Sequence, residues 1–210
     1  MARIDAPQLI CLKLIFFNDI VFDAPQLTQF ISRTPTLKPV ENAHVIFGHR
    51  SGIVNSSSQT SRYQVGILCK ELEWQVSSLG QVCASHLPPV SMLDGLYIYE
   101  RLYELQPDWK DNIENTLWLE LLHPFTTVRN LYLSKEFGPR IMAALQELVA
   151  GRTTEVLTLQ NIFLEEVEPG EYVQEDIGRF VAARQLSGHT ITVSHWERDL
   201  KREQDLWDSF

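Results

Sequence analysis

The spacing Leu-x-x-Leu-x-Leu recurs along the chain and constrains its fold more than any other feature. It stands at Leu9/Leu12/Leu14, Leu93/Leu96/Ile98, Val128/Leu131/Leu133 and Leu159/Ile162/Leu164. Leu96 to Leu131 is 35 residues, Leu131 to Ile162 is 31, and Leu12 to Ala43 is again 31. Weaker copies fill the gaps at Ala43-x-Val45-x-Phe47, Val65-x-Ile67-x-Cys69 and Ile191-x-Val193. A period of this size marks stacked supersecondary units. The alternate apolar residues leave one side of a short strand together, and the leucine three residues earlier closes the turn into it. One such unit cannot bury its apolar side alone, so neighbours stack to make the core continuous.

Between these strands the apolar period lengthens to that of a helix. Leu72, Val76, Leu79 and Cys83 predict a helix over 72–85 that stops before Pro88-Pro89. Ile113, Leu117 and Leu121 predict one over 112–122, ended by Pro124. Ile141, Leu145, Leu148 and Val149 predict one over 139–150, with Pro139 in its first turn and Gly151 at its exit. Ile177, Phe180 and Val181 predict one over 174–186 with Gly188 beyond, and a shorter helix is expected over 25–32. Strand and helix in alternation imply parallel strands joined by right-handed crossovers. The expected fold class is therefore α/β: a leucine-rich-repeat-like right-handed solenoid, with parallel strands on one face and helices on the other. An ordinary doubly wound sheet is the alternative. Residues 1–195 read as this one domain, with a Ser-, Thr-, Gly- and Asn-rich loop insert at 48–62 and a longer loop at 100–111. Residues 196–210, with Trp196, Leu200 and Trp207 at helical intervals, read as a charged tail or a capping helix.

The net charge of −9 argues against a nucleic-acid partner, which calls for a basic stripe. Cys11, Cys69 and Cys83 form no Cys-x-x-Cys pair, so a reducing compartment, cytoplasmic or nuclear, is expected. The apolar run from Leu9 to Phe17 is interrupted by Lys13 and too short to span a bilayer, and it reads as a buried strand. Gly48-His49-Arg50-Ser51-Gly52 places its serine one residue too late for a nucleophile elbow. Phosphate-loop, dinucleotide and His-Glu-x-x-His patterns do not occur. The six histidines are scattered without metal-ligand spacing. No catalytic residue, cofactor or metal is expected, and the chain reads as a non-enzymatic protein. Asn55-Ser56-Ser57 matches the glycosylation pattern without a secretion signal to accompany it.

What remains is the strand surface. If the leucines point inward, the residues between them point outward: Gly95, Tyr97 and Tyr99, then Asn130, Tyr132 and Ser134, then Asn161, Phe163 and Glu165. Tyr97, Tyr132 and Phe163 take equivalent places and should align across adjacent strands. Large, stiff, amphipathic rings anchor interfaces, so Tyr97, Tyr99, Asn130, Tyr132, Asn161 and Phe163 are the candidate protein-binding residues. The competing expectation is that a loop or the C-terminal segment covers them.

Several segments resemble one family. Val21-Phe22-Asp23-Ala24-Pro25-Gln26-Leu27 with Phe30-Ile31-Ser32-Arg33-Thr34-Pro35, Trp74-Gln75-Val76-Ser77-Ser78-Leu79, Leu117-Trp118-Leu119-Glu120-Leu121-Leu122-His123-Pro124-Phe125 and Val128-Arg129-Asn130-Leu131-Tyr132-Leu133-Ser134 look like the C-terminal, leucine-rich-repeat-like region of fungal, mushroom-type F-box-like proteins. The resemblance runs to about Trp196. It implies a substrate-recognition module of a cullin-type ubiquitin ligase, whose partner is an unidentified protein substrate. The chain departs from the family in beginning almost directly in a repeat, at Ile4-Asp5-Ala6-Pro7, without the Leu-Pro-x-Glu start of an F-box. The ligase adaptor is therefore expected as a partner only where an F-box is supplied upstream. A solitary repeat scaffold with no ubiquitin role, and less readily an unrecognised hydrolase, are the alternatives. Without a cap in front of it, the first strand is expected to show apolar surface and an open edge.

Overall fold

Leucine and β-branched residues at every second position favour short pleated strands buried on one side, and the leucine-patterned segments form such strands. The computed structural model of the chain describes residues 9–17, 29–31, 33–34, 41–57, 62–86, 93–101, 113–150, 158–165 and 171–199. The strands are β1 (Cys11–Phe17), β2 (Asn42–Phe47), β3 (Ser51–Ser57), β4 (Arg62–Leu68), β5 (Gly95–Glu100), β6 (Asn130–Leu133), β7 (Asn161–Glu165) and β8 (Thr192–Trp196). The helices are α1 (Leu72–His86), α2 (Asn115–Leu122), α3 (Gly138–Ala150) and α4 (Glu171–Leu186). One 8-stranded sheet runs β1-β4-β3-β2-β5-β6-β7-β8. It is parallel throughout except where β3 pairs antiparallel with β2 and with β4. The chain is thus α/β, with a mostly parallel sheet.

The expected inward residues of the central strands are inward, whereas Val193, expected inward on the last strand, is 38% exposed. Ala43, Val45, Phe47, Leu96, Ile98, Leu131, Leu133, Ile162 and Leu164 join one core with Leu72, Val76, Leu79, Trp118, Leu121, Ile141, Leu145 and Phe180 from the helices. Leu93, Val128 and Leu159, three residues ahead, are buried as well. Consecutive helices pack side by side, α1 on α2, α2 on α3 and α3 on α4. At the centre, Phe47, Trp118 and Phe137 lie 4.9 to 5.8 Å apart between ring centroids. Gly188 has φ of +81°, where an L side chain would be strained. It stands two residues past the end of α4 and lets the chain reverse toward β8.

Helix ends agree with the sequence reading to within a few residues. The expected helix over 25–32 is described only at residues 29–31, which are helical; the remainder, like most of the expected 100–111 loop and residues 200–210, lies outside the described residues. Residues 196–199 are described and hold no helix: Trp196 ends β8.

Two expectations are corrected. The loop insert at 48–62 contains a central strand, β3, and β2-β3-β4 forms an antiparallel meander instead of parallel repeat units. The connections from β2 to β3 (48–50) and from β3 to β4 (58–61) are of hairpin length, far short of the dozen or more residues, usually a helix, that a parallel crossover needs. A Gly48 N–H bond to the Ser51 carbonyl at 2.7 Å closes the first hairpin. Ile53 and Val54 pair with Ile46 and Val45. Gln75 on α1, wholly buried, fastens this region by donating to the carbonyls of Gly48 (3.0 Å) and Cys69 (2.8 Å). Asn55 consequently lies mid-sheet at 3% exposure, which removes the glycosylation match. The second correction concerns the first strand. Cys11–Phe17 is half-buried to exposed throughout, with Ile15 and Phe17 among the exposed large apolar residues.

Candidate functional site

On the sheet face opposite the core cluster, strand register decides which side chains meet. Tyr97 pairs with Tyr132 and Tyr132 with Phe163. Their rings stack, with centroids 4.1 Å and 4.4 Å apart and planes within 6° and 8° of parallel. Sequence reasoning expected three rings, and the structure stacks four. His44, paired with Tyr97, continues the row at 4.5 Å and 10°. Its signal was present in the Ala43-x-Val45 copy, which sets His44 where Leu96-x-Ile98 sets Tyr97.

Each stacked pair contributes about 0.5–1.5 kcal/mol beyond its buried area. Beyond His44 the row turns polar, through Asn55 on β3 and Gln64 on β4. Both are buried, and Asn55 Oδ1 and Gln64 Oε1 accept no hydrogen bond among the described residues. Beyond Phe163 comes Ser194 on β8, which is small and exposed.

Tyr97, Tyr132 and Phe163 are half-buried, whereas Tyr99, expected to lie open, is 1% exposed. A hydrogen bond joins its hydroxyl to His44 Nδ1 at 3.3 Å, and the Arg198 guanidinium lies over its ring, 4.3 Å from the centroid. The chain after β7 supplies this cover. Trp196 packs edge-on against Tyr97 and Tyr132, 5.8 Å and 5.6 Å between centroids, and reaches Tyr99 at 6.5 Å. The Arg198 side chain, 2% exposed, bonds a Glu100 carboxylate oxygen at 3.2 Å and the Glu100 carbonyl, and lies 3.8 Å from Glu165. The Ser134 hydroxyl donates to the other Glu100 oxygen. Ser134 and Glu165, expected as open strand-surface residues, therefore belong to a charged latch beside the rings.

The asparagines form a second row at the N-terminal ends of the strands. Asn130 and Asn161 are paired in register. Asn130 Nδ2 donates to Asp94 Oδ2 at 2.8 Å, and Asn161 Nδ2 donates to Asn130 Oδ1 at 2.8 Å. Chains of hydrogen bonds polarise one another, so the series runs from the Asp94 carboxylate to an acceptor, Asn161 Oδ1. Gly95 opens this row: a Cβ there would stand 2.6 Å from Asn42 Oδ1.

Among the described residues, no group of His, Cys, Asp and Glu could hold a metal ion, and no helix is long and apolar enough to cross a membrane. Cys11 is exposed, and Cys83 is buried with its thiol pushed up in pKa by desolvation. Cys69, expected to be buried, is half-buried and its thiol donates to the Glu71 carboxylate at 3.3 Å. The Glu71 carboxyl is held below its usual range by hydrogen bonds from its own backbone and from that thiol. No family model matches the chain, and comparison with curated proteins and with solved structures finds no similar protein.

Proposed function

We propose that this chain is a non-enzymatic protein-interaction module, a leucine-rich-repeat-like solenoid whose ring-bearing sheet face receives another protein. The single observation that carries the reading is the row Tyr97, Tyr132 and Phe163, held in register on three parallel strands. Core packing does not require it, because the leucines on the other side of the same strands supply the core. The rings are preorganised by mutual stacking, so little conformational entropy is lost when a partner closes on them. The resemblance to the recognition region of F-box-like proteins favours a substrate-receptor role inside the cell. In that reading, the link to a ubiquitin ligase depends on an F-box on the same polypeptide.

A photoreactive phenylalanine analogue at Phe163 tests the face, with Glu175 on the outside of α4 as the control position. The expected result is a discrete cross-linked protein at 163 only, lost when Tyr97 and Tyr132 are replaced by alanine in a chain that still folds. Equal labelling from both positions removes the reading. Purified ligase adaptor should not bind this chain by itself.

A second reading is favoured by Trp196 and Arg198: the rings serve as the seat for the chain's own C-terminal strand, in a repeat scaffold without a ubiquitin role. It predicts that Trp196→Ala lowers stability and that no partner is cross-linked from position 163.

A further inference from the structure

Both rows on the ring-bearing face stop at the same place, the step from β7 to β8. The ring row ends at Phe163, whose register partner is Ser194 instead of a fifth ring. The amide row ends at Asn161, whose partner is Thr192, and Asn161 Oδ1 has no donor among the described residues. Ser194 and Thr192 are exposed, and Phe163 and Asn161 are half-buried. Trp196 lies against Tyr97, Tyr99 and Tyr132, and no ring but Tyr132 meets Phe163 among the described residues. The step is therefore a slot one strand spacing wide, about 4.8 Å. One wall is the outer face of an aromatic ring. An acceptor oxygen stands two residues along the same strand, roughly 7 Å away.

We propose that this slot binds the guanidinium of an arginine side chain in the partner protein. The inference rests on the interaction reading given above and names the chemistry of the partner at one position. A guanidinium is planar and stacks on an aromatic face, and it carries only donors, which suit an acceptor at the end of a polarised amide row. The acceptor series begins at the Asp94 carboxylate, and the chain carries a net charge of −9, so a cationic partner is complementary. A lysine ammonium has the charge without the plane. A citrulline has the plane without the charge.

The test is a titration of the full chain with short blocked peptides of glycine and alanine carrying one central arginine, lysine, citrulline or tryptophan, followed by amide NMR shifts. The arginine peptide should move the resonances of Asn161, Phe163 and Ser194 and saturate. The other three should bind roughly ten-fold more weakly, the equivalent of about 1.4 kcal/mol. Ser194→Tyr, which extends the ring row into the slot, should abolish the effect without loss of stability. Asn161→Leu should weaken it while leaving the ring stack in place. Equal affinity for lysine or citrulline, tighter binding of tryptophan, unshifted resonances at Phe163, or full binding by the Ser194→Tyr chain each overturns the proposal. The two readings fail separately: a protein cross-linked from position 163 with no arginine preference removes the slot and leaves the face.

Discussion

Tyr97 and Tyr132 lie abreast on neighbouring parallel strands, with ring centroids 4.1 Å apart and planes 6° from parallel. Parallel strands hold backbones at a fixed spacing, so two aromatic side chains in register have little choice but to stack. The stack carries part of the stability of the sheet as well as the proposed recognition surface. Tyr132 stands between two rings and beneath Trp196, whereas Phe163 has one ring neighbour among the described residues. Replacing Tyr132 by alanine should cost about 2 kcal/mol, more than Phe163→Ala. A double-mutant cycle between positions 97 and 132 in urea denaturation should return a coupling of about 1 kcal/mol. Additive single effects would mean that the stacking is incidental.

Arg198 and Glu100 form the buried part of the latch, with Glu165 at longer range. Removing one member of a buried pair leaves the other desolvated without compensation. Arg198→Met, which keeps the apolar stem, should therefore destabilise by about 3 kcal/mol. Adding Glu100→Gln to the same chain should restore a large share of that loss. If the double variant is as unstable as the sum of the two single ones, the pair is not what secures residues 196–199 to the sheet.

The three thiols should react in order of exposure: Cys11 at once with a thiol reagent, Cys69 more slowly and Cys83 only on unfolding. Burial holds the Cys83 thiol above its ordinary pKa, as it does the Tyr63 hydroxyl. Above the unfolded thiol's pKa of about 8.5, the unfolded chain has lost a proton that the folded chain retains. The unfolded state is then favoured, so stability falls as pH rises through the alkaline range. Cys83→Val should flatten that fall between about pH 8.5 and 10 in denaturant midpoints, and an unchanged slope would assign the effect elsewhere.

The clearest repeats were legible because leucine spacing, register and ring position are one pattern. Leu96/Ile98, Leu131/Leu133 and Ile162/Leu164 fix which side of each strand faces the core, and the rings between them must then align. The meander was not legible. In β3, Asn55, Ser56 and Ser57 have the composition of a loop, and only pairing on both sides makes them a central strand. Pairing partners distant in sequence leave no local periodicity. His44 was hidden for a related reason: its strand copy was weak, so its place in the ring row could not be read with the others. The burial of Tyr99 depends on Arg198, 99 positions along the sequence, and short-range spacing carries no information about such a contact.

Among the described residues β1 is a terminal strand of the sheet, and it shows Ile15 and Phe17 at 45% and 69% exposure, with Ile10 just before it at 65%. A terminal strand with apolar side chains on view is a template for pairing with another chain, and charged side chains blunt such edges. The full chain should therefore self-associate with rising concentration in light scattering. Ile15→Lys and Phe17→Lys should each shift that onset upward without lowering the denaturation midpoint, because the exposed positions contribute little core burial. Helix-face substitutions such as Trp74→Lys, on a residue 55% exposed, separate edge pairing from general stickiness. If Trp74→Lys suppresses association as well as Phe17→Lys does, the edge is not the contact. If neither does, β1 is covered in solution.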